Sequence, residues 1–379
     1  MVHFFLMERK KIEISVEKRG CHITTKVMQS ISGQVYTIDG KLGDGAYSDV
    51  FSVHRSDGEV CAFKRFKRES SDLGLGVLRE ISILQILRDS HKGLINLLDT
   101  ILLDDDEQTF GVVVPRYQTD LHSAIKDNTI PATKRKSLSF SLAETVYFLH
   151  SNNIIHRDIK PENILLDADM IPVLADYTLA KVFTGPCTGS THTPHVGTAT
   201  YRAPEVVSKS RYGLAVDIWS LGIVFFELFT NELVDIADDA SMLRFVASKI
   251  PMFTQNKLGD MVTGMLSINP GNRLTAKAIL NAPFFNGSSI SFVHAPRYVP
   301  RTGVEPTQDV IDMCENFEVQ REITKMAAQV YVSATGCSVQ SAVELACKFY
   351  EAETFEIENE DYPEEEMQIL MKMGYNLFV

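Results

Sequence analysis

The short polar segment HRDIKPEN, at residues 156–163, carries three side chains with complementary chemistry. Asp158 and Asn163 are five residues apart, and Lys160 lies between them. Transfer of a phosphoryl group to a hydroxyl needs a carboxylate near that hydroxyl, a cation near the γ-phosphate and an oxygen ligand for Mg²⁺. The segment therefore predicts phosphoryl-transfer chemistry. The simpler alternative is a polar loop with a structural histidine.

Two kinds of sequence pattern must position this segment. From about residue 35 to 114, short runs typical of β-strands are separated by Gly and Asp, and one helical pattern, VLREISILQILRD, interrupts them. From about residue 121 to 285 helical periodicity dominates. A Pro-containing connector and a second helical stretch follow. The sequence thus predicts a small β-rich lobe, a larger helical lobe, a linker and a helical tail.

Composition and charge exclude several classes of function. The net charge of −12 argues against a nucleic-acid partner that is held by phosphate neutralisation. The six cysteines form no CxxC pair, which is typical of reduced intracellular thiols and argues against a disulfide framework or a zinc site. The longest apolar stretch, residues 221–229, is too short to span a membrane and contains Glu227, so it is interpreted as a buried helix. We expect an intracellular protein, cytoplasmic or nuclear, with no membrane partner.

Over residues 36–286 the motifs occur in the order found in eukaryotic protein kinases, and the chain resembles that family. The segment GDGAYSDV, at 43–50, stands where the family has its Gly-rich loop, although Ser48 replaces the third glycine. Glycines in such a loop let backbone N–H groups approach phosphate. Lys64 matches the lysine that contacts the α- and β-phosphates, and Glu80 matches the acid that pairs with that lysine.

The same resemblance implies roles for the polar residues already named. Asp158 would act on the acceptor hydroxyl, and Thr198 would pair with Asp158 and Lys160. The resemblance implies Ser or Thr rather than Tyr as the acceptor, because tyrosine kinases usually lack the lysine at position 160. Asn163 and Asp176 would bind Mg²⁺, and ATP would be the phosphoryl donor. The residues implied to bind ATP are Gly43, Gly45, Val50, Ala62, Lys64, Glu80, Val114, Pro115, Tyr117 and Asp120.

The implied architecture is an α+β, two-lobed protein-kinase-like fold with a helical C-terminal extension. The small lobe would hold an antiparallel sheet and one helix. An ion pair between Glu205 and Arg273 and a buried Asp217 with Trp219 would have structural roles. The role of the first 34 residues stays open between an extra strand and a docking arm. The expected boundaries are 35–117 for the small lobe, 118–287 for the large lobe, 288–306 for the linker and 307–379 for the tail.

Within the family, the segments LREISIL and YRAPE resemble the cyclin-dependent kinases. Thr193 stands at the place of their activating phosphothreonine, and the alternative is an unmodified polar loop residue. A phosphate carries about −2 charge and needs a basic cluster. Arg79, Arg157 and Lys181 fall at the three basic positions that provide one. Gly197 departs from the pattern, because it replaces the residue that helps select a Pro after the target, so proline-directed specificity is in doubt.

The tail shows a second, shorter resemblance. The segments VQSAVELACKFYEAE and EEEMQILMKMGYNLF resemble the third and fifth helices of a cyclin box. Lys348 and Glu366 match the Lys–Glu pair with which cyclins bind the kinase helix, so the tail could act as a cyclin-like partner in cis or in a second chain. The first helix of the box has no counterpart. The alternatives are a helical extension packed on the large lobe and a solvated acidic tail.

Three functions are consistent with these features. They are an active Ser/Thr kinase acting on protein substrates with ATP and Mg²⁺, a pseudokinase that acts as a scaffold, and an interaction protein whose tail binds another kinase. The presence of all five central residues favours the active kinase, because the reaction depends on positioning and charge stabilisation. These five residues are Lys64, Glu80, Asp158, Asn163 and Asp176.

The segment ADYTLA departs from the family's Asp-Phe-Gly sequence after Asp176. Tyr177 can fill an apolar slot much as Phe does. Thr178 is the larger change, because a β-branched residue disfavours the positive φ that Gly permits. We hypothesise that Thr178 limits flipping of this segment and leaves control of the enzyme to the helix of Glu80.

Overall fold

A computed structural model gives the structure of most of the chain between residues 13 and 289. The chain divides into two compact units, Met1–Leu73 with Ile95–Arg116, and Gly74–Leu94 with Tyr117–Val379. The predicted cyclin-like tail and most of the linker lie outside the described residues. The described ranges are 13–18, 21–30, 32–45, 48–67, 75–102, 110–182, 198–236, 238–253 and 256–289, together with Gln308 and Ile311.

The first unit contains an antiparallel sheet that has seven strands among its described residues, in the order β1-β2-β3-β4-β5-β7-β6. Strands β1 and β2 pair with each other and extend the sheet beyond β3, so the N-terminal segment supplies extra strands. Fully buried residues such as Tyr36, Val53 and Phe63 form its core. The strands are β1 Glu13–Lys18, β2 Cys21–Gln29, β3 Val35–Asp44, β4 Ser48–Arg55, β5 Val60–Phe66, β6 Asp99–Leu102 and β7 Phe110–Pro115.

The second unit is mainly helical and also includes the helix that carries Glu80. Five short strands form two small antiparallel sheets: β8 Thr119–Asp120, β9 Ile154–Ile155, β10 Ile164–Leu166, β11 Pro172–Leu174 and β12 Lys181–Val182. The α-helices are α1 Leu75–Ile86, α2 Leu121–Lys126, α3 Ala132–Ser151, α4 Pro204–Val207, α5 Ala215–Thr230, α6 Asp239–Phe253, α7 Lys257–Met265 and α8 Ala276–Leu280. The predicted α+β architecture, an antiparallel sheet followed by a helical region, is confirmed.

Helix α5 forms the centre of the second unit. The prediction of a buried helix over residues 221–229 is confirmed, because α5 is buried from Val216 to Leu228. The helix ends at Asn231, whose left-handed conformation (φ 60°) is a common helix terminator. Within the described ranges, no helix combines the length and the apolar character that crossing a bilayer requires.

Candidate active site

Asp158 is the centre of a compact hydrogen-bonded cluster in the second unit. The carboxylate atom Oδ2 is 2.8 Å from Lys160 Nζ and accepts a hydrogen bond of 2.9 Å from Asn163 Nδ2. Oδ1 accepts from the Thr198 backbone N–H at 3.2 Å and from its hydroxyl at 3.1 Å. Lys160 Nζ also donates to Thr198 Oγ1 at 2.9 Å. The structure thus brings together the four residues that the sequence assigned to phosphate transfer.

A buried carboxylate holds the backbone of this loop in place. Asp217 has no exposed surface and accepts hydrogen bonds of 2.8 Å from the backbone N–H groups of His156 and Arg157. A third contact, 3.0 Å, comes from His150 Nε2. Burial by itself would raise the pKa of Asp217, but the contacts with His150, His156 and these N–H groups lower it overall. Asp217 therefore fixes the two residues that precede Asp158 as a charged anchor.

The imidazole of His156 connects this loop to the segment that contains Asp176. The Asp158 backbone N–H donates to Nδ1 of His156, so Nε2 carries the proton and donates to Ala175 O at 3.1 Å. Complete burial lowers the pKa of His156, which keeps the ring neutral. The ring of Tyr177 packs edge-on against the imidazole at 5.1 Å, and its hydroxyl donates to Leu174 O. Tyr177 thus fills the apolar slot that the sequence suggested.

Asn163 and Asp176 carry oxygen atoms of the kind that Mg²⁺ prefers. Asn163 uses both hydrogen atoms of Nδ2 on Asp158, which leaves its Oδ1 atom as an acceptor. A backbone hydrogen bond of 2.9 Å from Ala175 to Asn163 holds the two segments together. Among the described residues, no group of three or more acidic, His or Cys side chains forms a metal cluster. This donor set fits Mg²⁺, which is usually bound by one or two protein ligands together with phosphate and water.

Two residues of the site have left-handed backbone conformations. Arg157 has φ 68° and Asp176 has φ 64°. Such values are uncommon outside glycine, and Asp is one of the residues that tolerate them best. In this segment the positive φ is therefore at Asp176. The sequence hypothesis concerned Thr178, two residues later, where the family has glycine.

The first unit places four of its predicted ATP-binding side chains on one face of the sheet. Val50 pairs with Lys64, and Ala62 pairs with Val114. Directly paired residues, and residues two apart on one strand, point to the same face. Gly43 pairs with Val50 at the next strand, after a bulge in β3. The register therefore places Val50, Ala62, Lys64 and Val114 together, with Pro115 at the end of β7.

Charged side chains fix the base of the Gly-rich segment. Lys67 Nζ donates to Gly45 O at 2.7 Å and to Asp44 Oδ1 at 2.6 Å. Lys41 Nζ lies 3.0 Å from Asp44 Oδ2 and 2.9 Å from Asp49 Oδ1. The Gly45 N–H donates to Ser48 O at 2.8 Å, which joins the end of β3 to the start of β4.

The remaining predicted ATP-binding residues belong to the second unit. Glu80 lies on α1 and is 3% exposed. Burial raises the pKa of Tyr117. Asp120 caps α2, accepting from the Ser123 N–H at 2.8 Å and from its hydroxyl at 3.0 Å. Lys64 belongs to the first unit and Glu80 to the second, and the ion pair between them stays a prediction.

The segment after Thr198 is anchored by two buried contacts. Arg273 donates to both oxygens of Glu205 at 2.6 and 3.0 Å, and its guanidinium lies 5.2 Å from the centre of the Trp219 ring. The predicted ion pair is therefore present. Tyr201 donates its hydroxyl to Glu227 at 3.0 Å. Burial raises the pKa of Glu227 to about 8.

Two of the predicted phosphate-binding residues are close in the fold. Lys181 pairs with Ile155, which precedes Arg157 by two residues. The Arg157 guanidinium donates to Leu179 O and to the Tyr212 hydroxyl. The side chain of Arg79, together with Thr193, Gly197, Lys348 and Glu366, lies outside what the structure describes. Thr193 phosphorylation, its complete pocket and the cyclin-like contact remain predictions.

Three contacts in this region were not anticipated from the sequence. They are the hydrogen bond from Thr178 to Glu80, that between Tyr201 and Glu227, and that between His150 and Asp217. Glu227 did carry a signal, because a lone carboxylate in an apolar helix needs a polar partner. Thr178 and His150 carried none, since their partners are 98 and 67 residues away along the chain.

Comparison with known proteins agrees with this geometry. Residues 36–285 match the model of the protein kinase domain family. A Trypanosoma brucei brucei protein named cell division control protein 2 homolog 3 is 31% identical over 286 residues, which cover 65% of this chain and 90% of that protein. A Xenopus laevis protein named mitogen-activated protein kinase 15 is 30% identical over 312 residues, covering 70% of this chain and 52% of that protein. The chain therefore belongs to the protein kinase domain family and is a protein serine/threonine kinase.

Proposed function

We propose that this kinase transfers the γ-phosphoryl group of ATP to Ser or Thr hydroxyls of protein substrates, with Mg²⁺, and that Asp158 is its catalytic base. The observation that carries the proposal is the cluster of Lys160, Asn163 and Thr198 around the Asp158 carboxylate. Each of these three residues places a hydrogen-bond donor against the carboxylate and so fixes its orientation. A carboxylate held in this way can accept the proton of an incoming hydroxyl.

The reaction requires one bond to form and one to break. The acceptor oxygen bonds to the γ-phosphorus as the bond from that phosphorus to the bridging oxygen breaks, and the hydroxyl proton passes to Asp158. Lys160, fixed by Asp158 and Thr198, places a positive charge beside the acceptor. Mg²⁺, held by Asn163 and Asp176, would neutralise charge on the phosphate oxygens.

The loop can perform this role because its backbone is fixed before any substrate binds. Asp217 holds the N–H groups of residues 156 and 157, and His156 connects the loop to Ala175. Preorganised groups of this kind need no rearrangement when charge develops in the transition state. The two relatives, a cell division control protein 2 homologue and a mitogen-activated protein kinase, support placing this chain in the wider kinase group that contains both.

The central test is Asp158→Asn in the full-length protein. Loss of the base should lower the phosphate-transfer rate by about 10²–10⁴-fold and leave nucleotide binding largely intact. Asp169→Asn is the matched control, because Asp169 is exposed in a turn and makes the same change of charge. Phosphate transfer by the Asp158 variant at the rate of the control would refute the assignment.

The cyclin-like role of the tail forms a separate part of the proposal and rests on the sequence resemblance. If Lys348 and Glu366 grip the Glu80 helix, Lys348→Glu and Glu366→Lys should each lower activity in the full chain. Lys92→Glu is the control for charge reversal, because Lys92 is exposed. Unchanged kinetics in both tail variants would refute the cyclin-like role of the tail and would leave the assignment of Asp158 unaffected.

A further inference from the structure

A single hydroxyl lies between two carboxylates of the second unit. Thr178 Oγ1 is 2.7 Å from Asp176 Oδ1 and 2.8 Å from Glu80 Oε2. Both distances are in the range of strong hydrogen bonds to a charged acceptor. Glu80 belongs to α1, whereas Asp176 and Thr178 belong to the segment that follows β11. The hydroxyl therefore joins the predicted metal ligand to a helix 98 residues away in sequence.

The two carboxylates share a single donated hydrogen atom. A threonine hydroxyl has one hydrogen atom, so it donates fully to only one of the two carboxylates at a time. The two carboxylate oxygens are separated by at most twice the 2.8 Å contact, and like charges at such a distance repel. A donor placed between them offsets this repulsion. A cation held by Asp176 would make its oxygen a weaker acceptor, and the Thr178 hydroxyl would then donate to Glu80.

We infer that Thr178 is a positioning residue whose hydroxyl fixes Glu80, and with it α1, relative to Asp176. The inference rests on the proposed function, in which Asp176 holds the metal. It differs from the hypothesis based on β-branching, which concerned only the backbone freedom of the segment. A glycine at this position offers no side chain that could make the contact, so the tie is a property of this sequence.

Hydrogen exchange of the α1 amides tests the inference in the full-length, nucleotide-free protein. Thr178→Val removes the hydroxyl and keeps both the shape and the β-branch, whereas Thr178→Ser keeps the hydroxyl and removes the branch. Loss of a hydrogen bond to a charged group should make α1 exchange on the order of ten-fold faster in the Val variant. The Ser variant should exchange like the wild type.

A double variant adds an independent measure. If the hydroxyl acts through Glu80, Thr178→Val should have no further effect on α1 exchange in a Glu80→Met background, because Met has a similar length and no oxygen acceptor. Thr178→Ala provides a second hydroxyl-free variant, and Trp219 fluorescence checks that each protein is folded. Additive effects of the Val and Met changes would show that the two side chains act separately.

Two results would overturn the inference. Equal α1 exchange in the wild type and the Val variant would show that the hydroxyl does not hold the helix, even if activity fell. Equally fast exchange in the Val and Ser variants would assign the effect to packing of the methyl group. Asp158→Asn separates this inference from the proposed function, because it should lower the phosphate-transfer rate by about 10²–10⁴-fold and leave α1 exchange at the wild-type rate.

Discussion

Glu227 should make the stability of the second unit depend on pH, and Glu227→Gln should remove this dependence. The carboxyl is fully buried in α5, where it accepts hydrogen bonds from the Tyr201 hydroxyl and from the Val234 N–H at 2.8 Å. Burial raises its pKa to about 8, and the two hydrogen bonds offset only part of this effect. Gln resembles the protonated acid, because its oxygen can accept from Val234 while its amide donates to Tyr201.

The sign and size of the effect follow from linkage between protonation and folding. The pKa in the folded state lies above the ordinary value of 4.5, so the folded state binds more protons between those two values and loses stability as the pH rises. The loss is about 1.4 kcal/mol for each pH unit well inside this window. Between pH 6 and pH 7.5, the wild type should therefore lose about 2 kcal/mol relative to Glu227→Gln.

Urea unfolding followed by the fluorescence of Trp219 measures this difference. Trp219 is the single tryptophan, is fully buried and lies on the same helix as Glu227, so it reports on the relevant unit. Burial also lowers the pKa values of His91 and His156, but both residues are present in both proteins, so their contributions cancel in the comparison. A difference between the two proteins that is the same at both pH values would refute the reasoning.

Three further changes test the contacts that position the site. Asp217→Asn directs an amide N–H at backbone N–H groups, and it should lower the free energy of unfolding by about 3–5 kcal/mol, measured by urea unfolding, and reduce kcat. Arg273→Lys cannot form the two-pronged contact with Glu205, and we expect a loss of about 1–3 kcal/mol, visible as a lower Tm than that of the wild type. Lys67→Met releases the carbonyl of Gly45 and should raise the KM for ATP with little change in Tm; an unchanged KM would show that this contact does not shape the loop.

Local signals account for the parts of the fold that the sequence predicted. Strands β4 and β5 are short runs that contain Val and Phe, and α5 is a mostly apolar run of helical length, so each could be recognised from a short window. The hairpin of β1 and β2 also has local signals. Ile14 and Val16 alternate with polar residues, and the pairing of Lys18 with Cys21 leaves a two-residue connection that contains Gly20. The open choice between an extra strand and a docking arm could thus have been narrowed.

The sequence predicted which residues gather around Asp158 but not how their backbone is held. The types and spacing of Lys160 and Asn163 are visible in one short segment, whereas the anchor, Asp217, is about 60 residues further along the chain. Its burial and its contact with His150 depend on the packing of α3 against α5. Residue types therefore identify the chemistry, and long-range packing decides whether the groups are preorganised.

The contacts of the second unit divide its site into a part that is fixed and a part that can be adjusted. Asn163 donates to the Asp158 carboxylate, and the charged carboxylate of Asp217 holds the backbone of the two residues before Asp158. All three side chains are buried. Glu80 lies on α1 and accepts a hydrogen bond from the Thr178 hydroxyl, which also contacts Asp176. Any movement of Glu80 relative to Asp176 must therefore strengthen or break this contact. We expect control of this kinase to act through α1, because a movement of that helix changes the contact that joins Glu80 to the predicted metal ligand.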